Sequence, residues 1–259
     1  MTDGNLPPND EQLELPFLSH LVELRDRLLR ALLAILFFFI CLFPFANDIY
    51  TFMAEPLMKH MPANSSMIAT EVASPFLTPF KLTLMAAIAF GMPVILYQIW
   101  SFVAPALYRN ERRLVMPLML ASTLLFFSGM LFAYFAVFPI IFGFFIGVTP
   151  EGVTVMTDIS KYLDFILKLF FAFGLAFEVP IATILMIWTG FTTREALTEK
   201  RPYIIVGAFV LGMLLTPPDI ISQTLLAVPI WLLFEAGIFF SRFFKSTEPK
   251  QEENQTTET

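Results

Sequence analysis

The 259-residue chain is 57% hydrophobic, contains 31 phenylalanines and carries charges on only 15% of its residues. A soluble domain has about 25% charged residues, so this composition excludes an ordinary soluble protein and predicts a polytopic membrane protein. The net charge of -6 does not set its orientation, because the distribution of Lys and Arg decides that.

The N-terminal 14 residues are polar and acidic, opposite to the basic start of a cleavable signal peptide, and we predict that they form a disordered tail. Residues 17–28 have helical periodicity, with apolar side chains on one stripe and Glu23 on the opposite face near Arg27. We predict an interfacial helix that leads into the first span. Glu23 and Arg27 could also be an ordinary surface pair at i and i+4, worth about 0.2–0.5 kcal/mol.

Uncharged runs separated by charges, Pro, Asn and Gly predict six transmembrane helices. These spans cover residues 28–46, 76–102, 115–138, 162–189, 203–216 and 220–240. Together they form a single all-α membrane domain of residues 15–243, which a disordered cytoplasmic tail of residues 244–259 follows.

Proline recurs in most of the predicted spans and should bend or end each helix, because it lacks a backbone donor. Bent helices favour a concave, partly open arrangement over a closed cylinder. The prolines in question are Pro44, Pro93, Pro105, Pro117, Pro139, Pro180 and Pro229.

The basic residues predict the orientation of the spans. Most of the 16 Lys and Arg residues lie before the first span or after the second, fourth or sixth span. An even number of spans puts both termini on the same side of the membrane. The positive-inside rule then makes both termini cytoplasmic. The two large loops on the other side, residues 47–75 and 147–161, could form a structured cap.

The fifth predicted span is short. Its 14 residues rise only about 21 Å, whereas a bilayer's hydrocarbon core is about 30 Å thick. The tight turn Thr-Pro-Pro-Asp at residues 216–219 follows it, so we predict that short fifth and sixth helices form a hairpin. Such a hairpin should thin the bilayer locally or lean on partner helices.

A charged island, residues 102–113 (FVAPALYRNERR), separates the second and third spans and carries one acid, Glu111, among arginines that include Arg109. It could be a solvated loop whose arginines only fix topology. However, Glu23 and Glu111 are two acids in basic surroundings on the same predicted side. Carboxylates accept guanidinium groups in a fork that ammonium cannot reproduce, so such a pair would select paired arginines over lysines.

Polar side chains also occur inside the spans. Glu178 falls near the middle of the fourth, where an acid costs at least about 2.5 kcal/mol, so it indicates a functional or partner-facing position, or else a protonated structural contact. Asp219 is most simply an N-cap of the sixth span, and Gln223 should face another helix. Glu235 should reach the interface or pair with Arg242.

Other chemistry is not indicated. The sequence lacks nucleotide-binding, nucleophile-elbow and zinc-protease motifs, so we predict no enzyme, no cofactor, no catalytic residue and no metal site. The single cysteine, Cys41, excludes an intramolecular disulfide and should pack as a small hydrophobic residue.

From about residue 15 to residue 243, the chain resembles the TatC family, the polytopic receptor subunits of the twin-arginine protein translocase. The resemblance rests on residues 19–25 (SHLVELR), 72–76 (VASPF), 104–108 (APALY), 111–113 (ERR), 177–180 (FEVP), 200–203 (KRPY) and 215–219 (LTPPD). It implies a six-helix protein of the bacterial inner membrane with both termini in the cytoplasm.

The resemblance also implies roles for individual residues. In the family, the positions of Glu23 and Glu111 help to bind the two arginines of the signal peptide of a folded cargo protein. Arg25, Phe102 and Arg109 belong to this recognition area or border it. Further functional positions of the family are Pro56, in the first outer loop, together with Glu178, Asp219 and Gln223.

The partners implied by the resemblance are the single-span subunits TatB and TatA, other copies of the chain and the lipid bilayer, with no nucleic acid. Met213, Leu214 and Gln223 resemble the docking surface for TatB, and TatA joins when substrate and the proton motive force are present. The alternative is a proton- or ion-coupled small-molecule transporter that uses Glu178 and Asp219.

Overall fold

The computed structural model describes residues 11–59, 67–103, 115–150, 156–215 and 220–243. In these ranges the regular structure is helical, apart from a parallel β-bridge between Ile68 and Asp158. The helices are α1 (Glu11–Leu42), α2 (Ala46–Met58), α3 (Ser74–Val103), α4 (Val115–Phe132), α5 (Phe138–Gly147), α6 (Ile159–Ala176), α7 (Val179–Trp188), α8 (Arg194–Glu199), α9 (Arg201–Leu215) and α10 (Ile220–Phe240). The all-α prediction is confirmed.

The described residues contain five stretches that are long and apolar enough to cross a membrane. They are Leu21–Glu55, Ser74–Phe102, Met116–Gly147, Ile159–Trp188 and Ile220–Phe240. The apolar helix α9 has 15 residues and rises about 22 Å, so the fifth crossing stays a prediction. The expectation of a short sixth helix is wrong, because the 21 residues of α10 rise about 31 Å.

The first helix differs from the prediction at both ends. α1 begins at Glu11, so residues 11–14 are helical rather than part of a disordered tail, and no break separates an interfacial helix from the first span. At Pro44 the backbone tightens into a 3-10 turn, Phe43–Phe45, and continues into α2. A 3-10 turn tolerates Pro44 because the missing donor falls in its first residues.

The prolines act in different ways. The fourth span breaks between α6 and α7 just before Pro180, and a π-helical turn, Ala133–Val137, precedes Pro139 in the third span. By contrast, α3 continues through Pro93 and α10 through Pro229. Pro105 lies outside the described residues, and the concave arrangement stays a prediction.

Contacts divide the chain into two compact units, Met1–Ile49 with Pro79–Leu120 and Tyr50–Thr78 with Ala121–Thr259. In the first unit, α1 packs against α3. Phe39 meets Phe80 edge to face, with ring centres 5.1 Å apart. A β-carbon added to Gly91 would lie 3.6 Å from the Ile35 side chain, which is ordinary packing contact.

In the second unit, helices approach closely at glycines. A β-carbon added to Gly129 on α4 would lie 2.4 Å from the Phe173 carbonyl oxygen on α6, and one added to Gly237 on α10 would lie 2.9 Å from Pro180 Cα on α7. Such distances leave no room for a side chain. Small residues at these crossings let the helix backbones pack closely, as is usual between membrane helices.

The loops before α3 and before α6 join in a small polar structure, here called the loop cap (residues 67–78 and 156–160). The Ile68 amide donates to the Thr157 carbonyl at 3.0 Å, and the Ile159 amide donates to the Ile68 carbonyl at 2.9 Å. Beneath this bridge, the Ser160 hydroxyl lies 2.9 Å from the hydroxyls of both Ser74 and Thr78. The prediction of a structured cap is confirmed, although residues 47–58 of the predicted loop are helical and belong to α2.

Candidate functional site

Glu23 lies on α1 beside Arg27, one turn later. Arg27 donates from both Nε, at 3.0 Å, and Nη2 to the same carboxylate oxygen, Oε1 of Glu23. The Arg27 side chain is 17% exposed and that of Glu23 is 38% exposed, so the ion pair is only partly screened by solvent. The pairing at i and i+4 that the sequence allowed is confirmed, and it shows Glu23 holding a guanidinium group.

An open groove of about 400 Å³ runs along this face of α1. Acids and arginines alternate on its wall, which is lined by Val22, Glu23, Asp26, Arg27 and Arg30. Asp26 accepts hydrogen bonds at 3.0 and 2.8 Å from Nε and Nη2 of the exposed Arg25. Both acids on this face are thus engaged with guanidinium groups, the chemistry that recognition of arginine requires.

The rest of the predicted recognition area is only partly described. Phe102 lies in the last turn of α3 and is half-buried. Arg109 and Glu111 lie outside the described residues. The expectation that Glu23 and Glu111 act as a pair therefore stays a prediction.

Glu178 lies in the break between α6 and α7. Pro180 has no backbone N–H, and its ring would clash with the Ala176 carbonyl, so α6 ends at Ala176. The Glu178 carboxyl group accepts a hydrogen bond from Ser122, whose side chain is fully buried on α4. Its other oxygen, Oε1, is buried without a hydrogen-bond partner among the described residues. An acid so placed can receive one more donor.

Pro56 lies near the end of α2, not in a loop as expected. Because proline has no N–H, the Phe52 carbonyl four residues earlier receives no helical hydrogen bond from it. The Tyr134 hydroxyl donates to that carbonyl at 3.3 Å, and the rings of Phe52 and Tyr134 stack with centres 4.9 Å apart. Tyr134 belongs to the π-helical turn of the third span. No sequence motif indicates that it donates to the carbonyl that Pro56 leaves without a helical donor.

The hairpin of α9 and α10 is confirmed by their close packing. A β-carbon added to Gly212 would lie 3.4 Å from the Gln223 carbonyl oxygen and 3.5 Å from its Cα. Gln223 therefore faces α9, as predicted. Met213 and Leu214 are exposed and open to lipid or a partner helix. Asp219 lies outside the described residues, so its capping role stays a prediction.

We expected Glu235 to reach the interface or to pair with Arg242, but it pairs with Arg201. Arg201 at the start of α9 donates from Nη2 to its Oε2 at 2.7 Å, and Arg201 Nε lies 2.6 Å from Oε1 without hydrogen-bond geometry. Arg242 instead lies over the Phe239 ring, 5.7 Å from its centre. Cys41 is exposed rather than packed inside the protein.

Asp158 in the loop cap is a residue that the sequence analysis missed. Its carboxylate accepts from the hydroxyl and the amide of Thr70 and from the amides of Ser160 and Lys161, so it caps α6. These hydrogen bonds, led by that of the Thr70 hydroxyl, lower the pKa of Asp158 to about 2. An Asp directly before an apolar run is a helix-start signal that could have identified it.

Within the described ranges, no group of three or more His, Cys, Asp or Glu side chains is placed to hold a metal ion. The candidate site contains carboxylates and arginines on α1, and Glu178 lies separately in the break between α6 and α7.

Comparisons with known proteins give a consistent result. A family model described as Sec-independent protein translocase protein (TatC) matches residues 19–229. The Sec-independent protein translocase protein TatC of Escherichia coli (strain K12) is 58% identical over 238 residues, which are 92% of this chain and 92% of that protein. The same protein of Azotobacter chroococcum mcd 1 is 59% identical over 239 residues, covering 92% of this chain and 94% of the relative.

A solved structure is similar as well. The crystal structure of the twin arginine translocase receptor TatC superimposes with a TM-score of 0.78 at 39% sequence identity. The match covers 86% of this chain and 98% of the solved one.

Proposed function

Because this chain belongs to the TatC family of Sec-independent protein translocase proteins, we propose that it binds the twin-arginine signal peptides of folded precursor proteins. As a member of that family it is a multi-pass membrane component of the twin-arginine translocase. We place it in the inner membrane, with both termini and the Glu23 groove at the cytoplasmic face. There it meets a signal peptide before the cargo crosses.

The observation that carries this proposal is the contact of Glu23 with the guanidinium group of Arg27 on an open groove. A carboxylate that binds one guanidinium group through two nitrogens has the chemistry and the exposure to bind the guanidinium group of a signal arginine in its place. Glu111 supplies the second carboxylate, and Arg25, Phe102 and Arg109 border the site. Glu23 and Glu111 act as a pair in this proposal, because the signal peptide carries two adjacent arginines and each acid binds one of them.

The hairpin of α9 and α10 supplies the proposed docking surface for TatB. Met213 and Leu214 are exposed on α9, and the helix is short enough to favour thinned bilayer beside it. TatA and further copies of the chain then join, and the proton motive force drives export. Glu178, an acid inside the fourth span, is a further proposed functional position.

The test is site-specific crosslinking of a twin-arginine precursor to the full chain in membranes. Glu23→Gln and Glu111→Ala should each abolish the crosslink, because each removes one charged acceptor for an arginine. Glu195→Gln is the matched control. This acid lies in the first turn of α8 and is not one of the residues that line the groove, so the crosslink should persist.

An unchanged crosslink in both Glu23→Gln and Glu111→Ala, with the variants still inserted in the membrane, would overturn the assignment of the site. The family assignment argues against a coupled small-molecule transporter that uses Glu178 and Asp219. Solute uptake by the isolated chain would revive that alternative.

A further inference from the structure

We propose that Arg27 is a built-in competitor for the signal peptide, a residue that occupies the Glu23 carboxylate at rest and must give way when a signal arginine binds. This inference rests on the proposed function of the Glu23 groove. It concerns how tightly a cationic peptide must bind before it displaces Arg27. It assigns Arg27 a role in specificity rather than in helix stability alone.

The geometry of the pair supports this role. Arg27 approaches side-on, with Nε and Nη2 both directed at Oε1 of Glu23, which is how a signal arginine would approach the same acid. Arg27 is the more buried partner, 17% exposed against 38% for Glu23. The guanidinium group therefore lies on the protein side of the pair, and the acid is reachable from the groove.

The neighbouring arginines behave differently. Arg25 donates to Asp26, and Arg30 lines the same groove, although within the described residues no hydrogen bond or ion pair joins Arg30 to Glu23. The groove thus contains one arginine that engages the recognition acid and another that contributes its charge to the wall. This difference makes Arg30 a control for the effect of positive charge on the binding of a cationic peptide.

The physical consequence is a uniform penalty on every cationic ligand. A peptide that displaces Arg27 loses the free energy of one partly exposed ion pair, which is a factor of about two to five in affinity. The penalty is equal for arginine and lysine ligands. The preference for arginine comes from the carboxylates, whereas Arg27 raises the threshold that any ligand must exceed and so keeps weak ligands unbound.

The experiment measures binding of a fluorescent signal peptide to the full chain in lipid nanodiscs. Two peptides are compared, one with paired arginines and one with paired lysines. The variants are Arg27→Gln, the charge-matched Arg30→Gln, and Arg27→Lys, which keeps the charge but cannot present two nitrogens to one oxygen in the same plane. Glu23→Gln reports on the site itself.

Relative to Arg30→Gln, Arg27→Gln should bind both peptides about two- to five-fold more tightly and leave the ratio of their affinities unchanged. Arg27→Lys should shift both affinities in the same direction by less. Equal affinities in Arg27→Gln and Arg30→Gln, or weaker binding in Arg27→Gln, would overturn the competitor role.

Peptide binding by the unaltered chain and by Glu23→Gln tests the proposed function separately from the role of Arg27. If the unaltered chain prefers paired arginines and Glu23→Gln abolishes the preference, the proposed function holds whatever Arg27 does. If the unaltered chain shows no preference for arginine, both the proposed function and the competitor role are wrong.

Discussion

Among the individual residues, Glu178 lies in a helix break whose neighbouring residues pack closely on glycines on two sides. Phe177, next to Glu178, comes within 3.0 Å of where a β-carbon on Gly129 would be, and Pro180 packs equally closely on Gly237. The acid is therefore fixed in place by glycines on α4 and α10 that carry no chemistry of their own. A buried polar group without a full set of partners is costly, and such rigid surroundings keep it from relaxing.

Gly129 should accordingly be intolerant of any side chain. Gly129→Ala places a methyl group 2.4 Å from the Phe173 carbonyl oxygen, so α4 and α6 must separate, at a cost of about 1–3 kcal/mol. The measurement is the free energy of unfolding in mixed micelles with increasing denaturing detergent.

Gly143→Ala on α5 is the matched control. A β-carbon there meets nothing within 4 Å, so this change should be neutral, or stabilising by up to about 1 kcal/mol through helix propensity. If the two variants unfold at the same detergent fraction, close packing at Gly129 is not what holds these helices together.

Among the helices, α2 is tied to the third and fourth spans by tyrosine hydroxyls. Tyr134 donates to the Phe52 carbonyl at 3.3 Å, and Tyr162 donates to the Met53 carbonyl at 3.0 Å. Only the first of these carbonyls lies four residues before a proline, Pro56. The Tyr134 contact thus compensates for a hydrogen bond that α2 cannot make within itself.

A double-mutant cycle between Pro56 and Tyr134 tests this link. Tyr134→Phe keeps the stacked ring and removes the hydroxyl, and it should cost about 0.6–1.7 kcal/mol of stability. In a Pro56→Ala background the same change should cost close to nothing, because the substituted alanine donates its own N–H to the Phe52 carbonyl.

Tyr162→Phe serves as the control for this cycle. The Met53 carbonyl has a helical donor from Leu57 whether or not Pro56 is present, so Tyr162→Phe should cost the same in both backgrounds. Equal costs of Tyr134→Phe in the two backgrounds would show that Pro56 acts by another route.

For the molecule as a whole, the distribution of basic residues and the position of the loop cap together predict the orientation of the chain in the membrane. The cap joins the segments before α3 and α6, and Val72 within it is fully exposed. Arg194, Lys200 and Arg201 lie in and after α8, at the opposite end of the fourth span. From the positive-inside rule we predict that this second group lies in the cytoplasm and the cap on the outer side.

Labelling of single cysteines tests that orientation. With Cys41 replaced by alanine, Val72→Cys should react with a membrane-impermeant maleimide in intact spheroplasts, whereas Glu195→Cys should react only after lysis. Both positions are exposed, so a difference in reactivity reports sidedness rather than burial. The reverse pattern would invert the topology and remove the Glu23 groove from the cytoplasm.

The class of the protein, the approximate spans and the family resemblance could all be predicted from the amino-acid sequence. These features are local, because the length and polarity of an uncharged run decide whether it partitions into a bilayer. The ends of elements were predicted less well. The helix from Glu11 through Pro44 to Met58 was divided in the prediction, since a proline indicates a break unless the backbone can tighten around it.

The pairing of polar groups, by contrast, emerged from the folded chain. Glu235 had a nearby candidate cation in Arg242, yet it pairs with Arg201 because α9 packs on α10. The Phe52 carbonyl accepts a hydrogen bond from Tyr134, which is far away in the sequence. Asp158 accepts hydrogen bonds from Thr70, which lies in another loop. These pairings depend on how distant segments pack, and a pattern along the chain records the polarity of each residue but not the neighbour it will have.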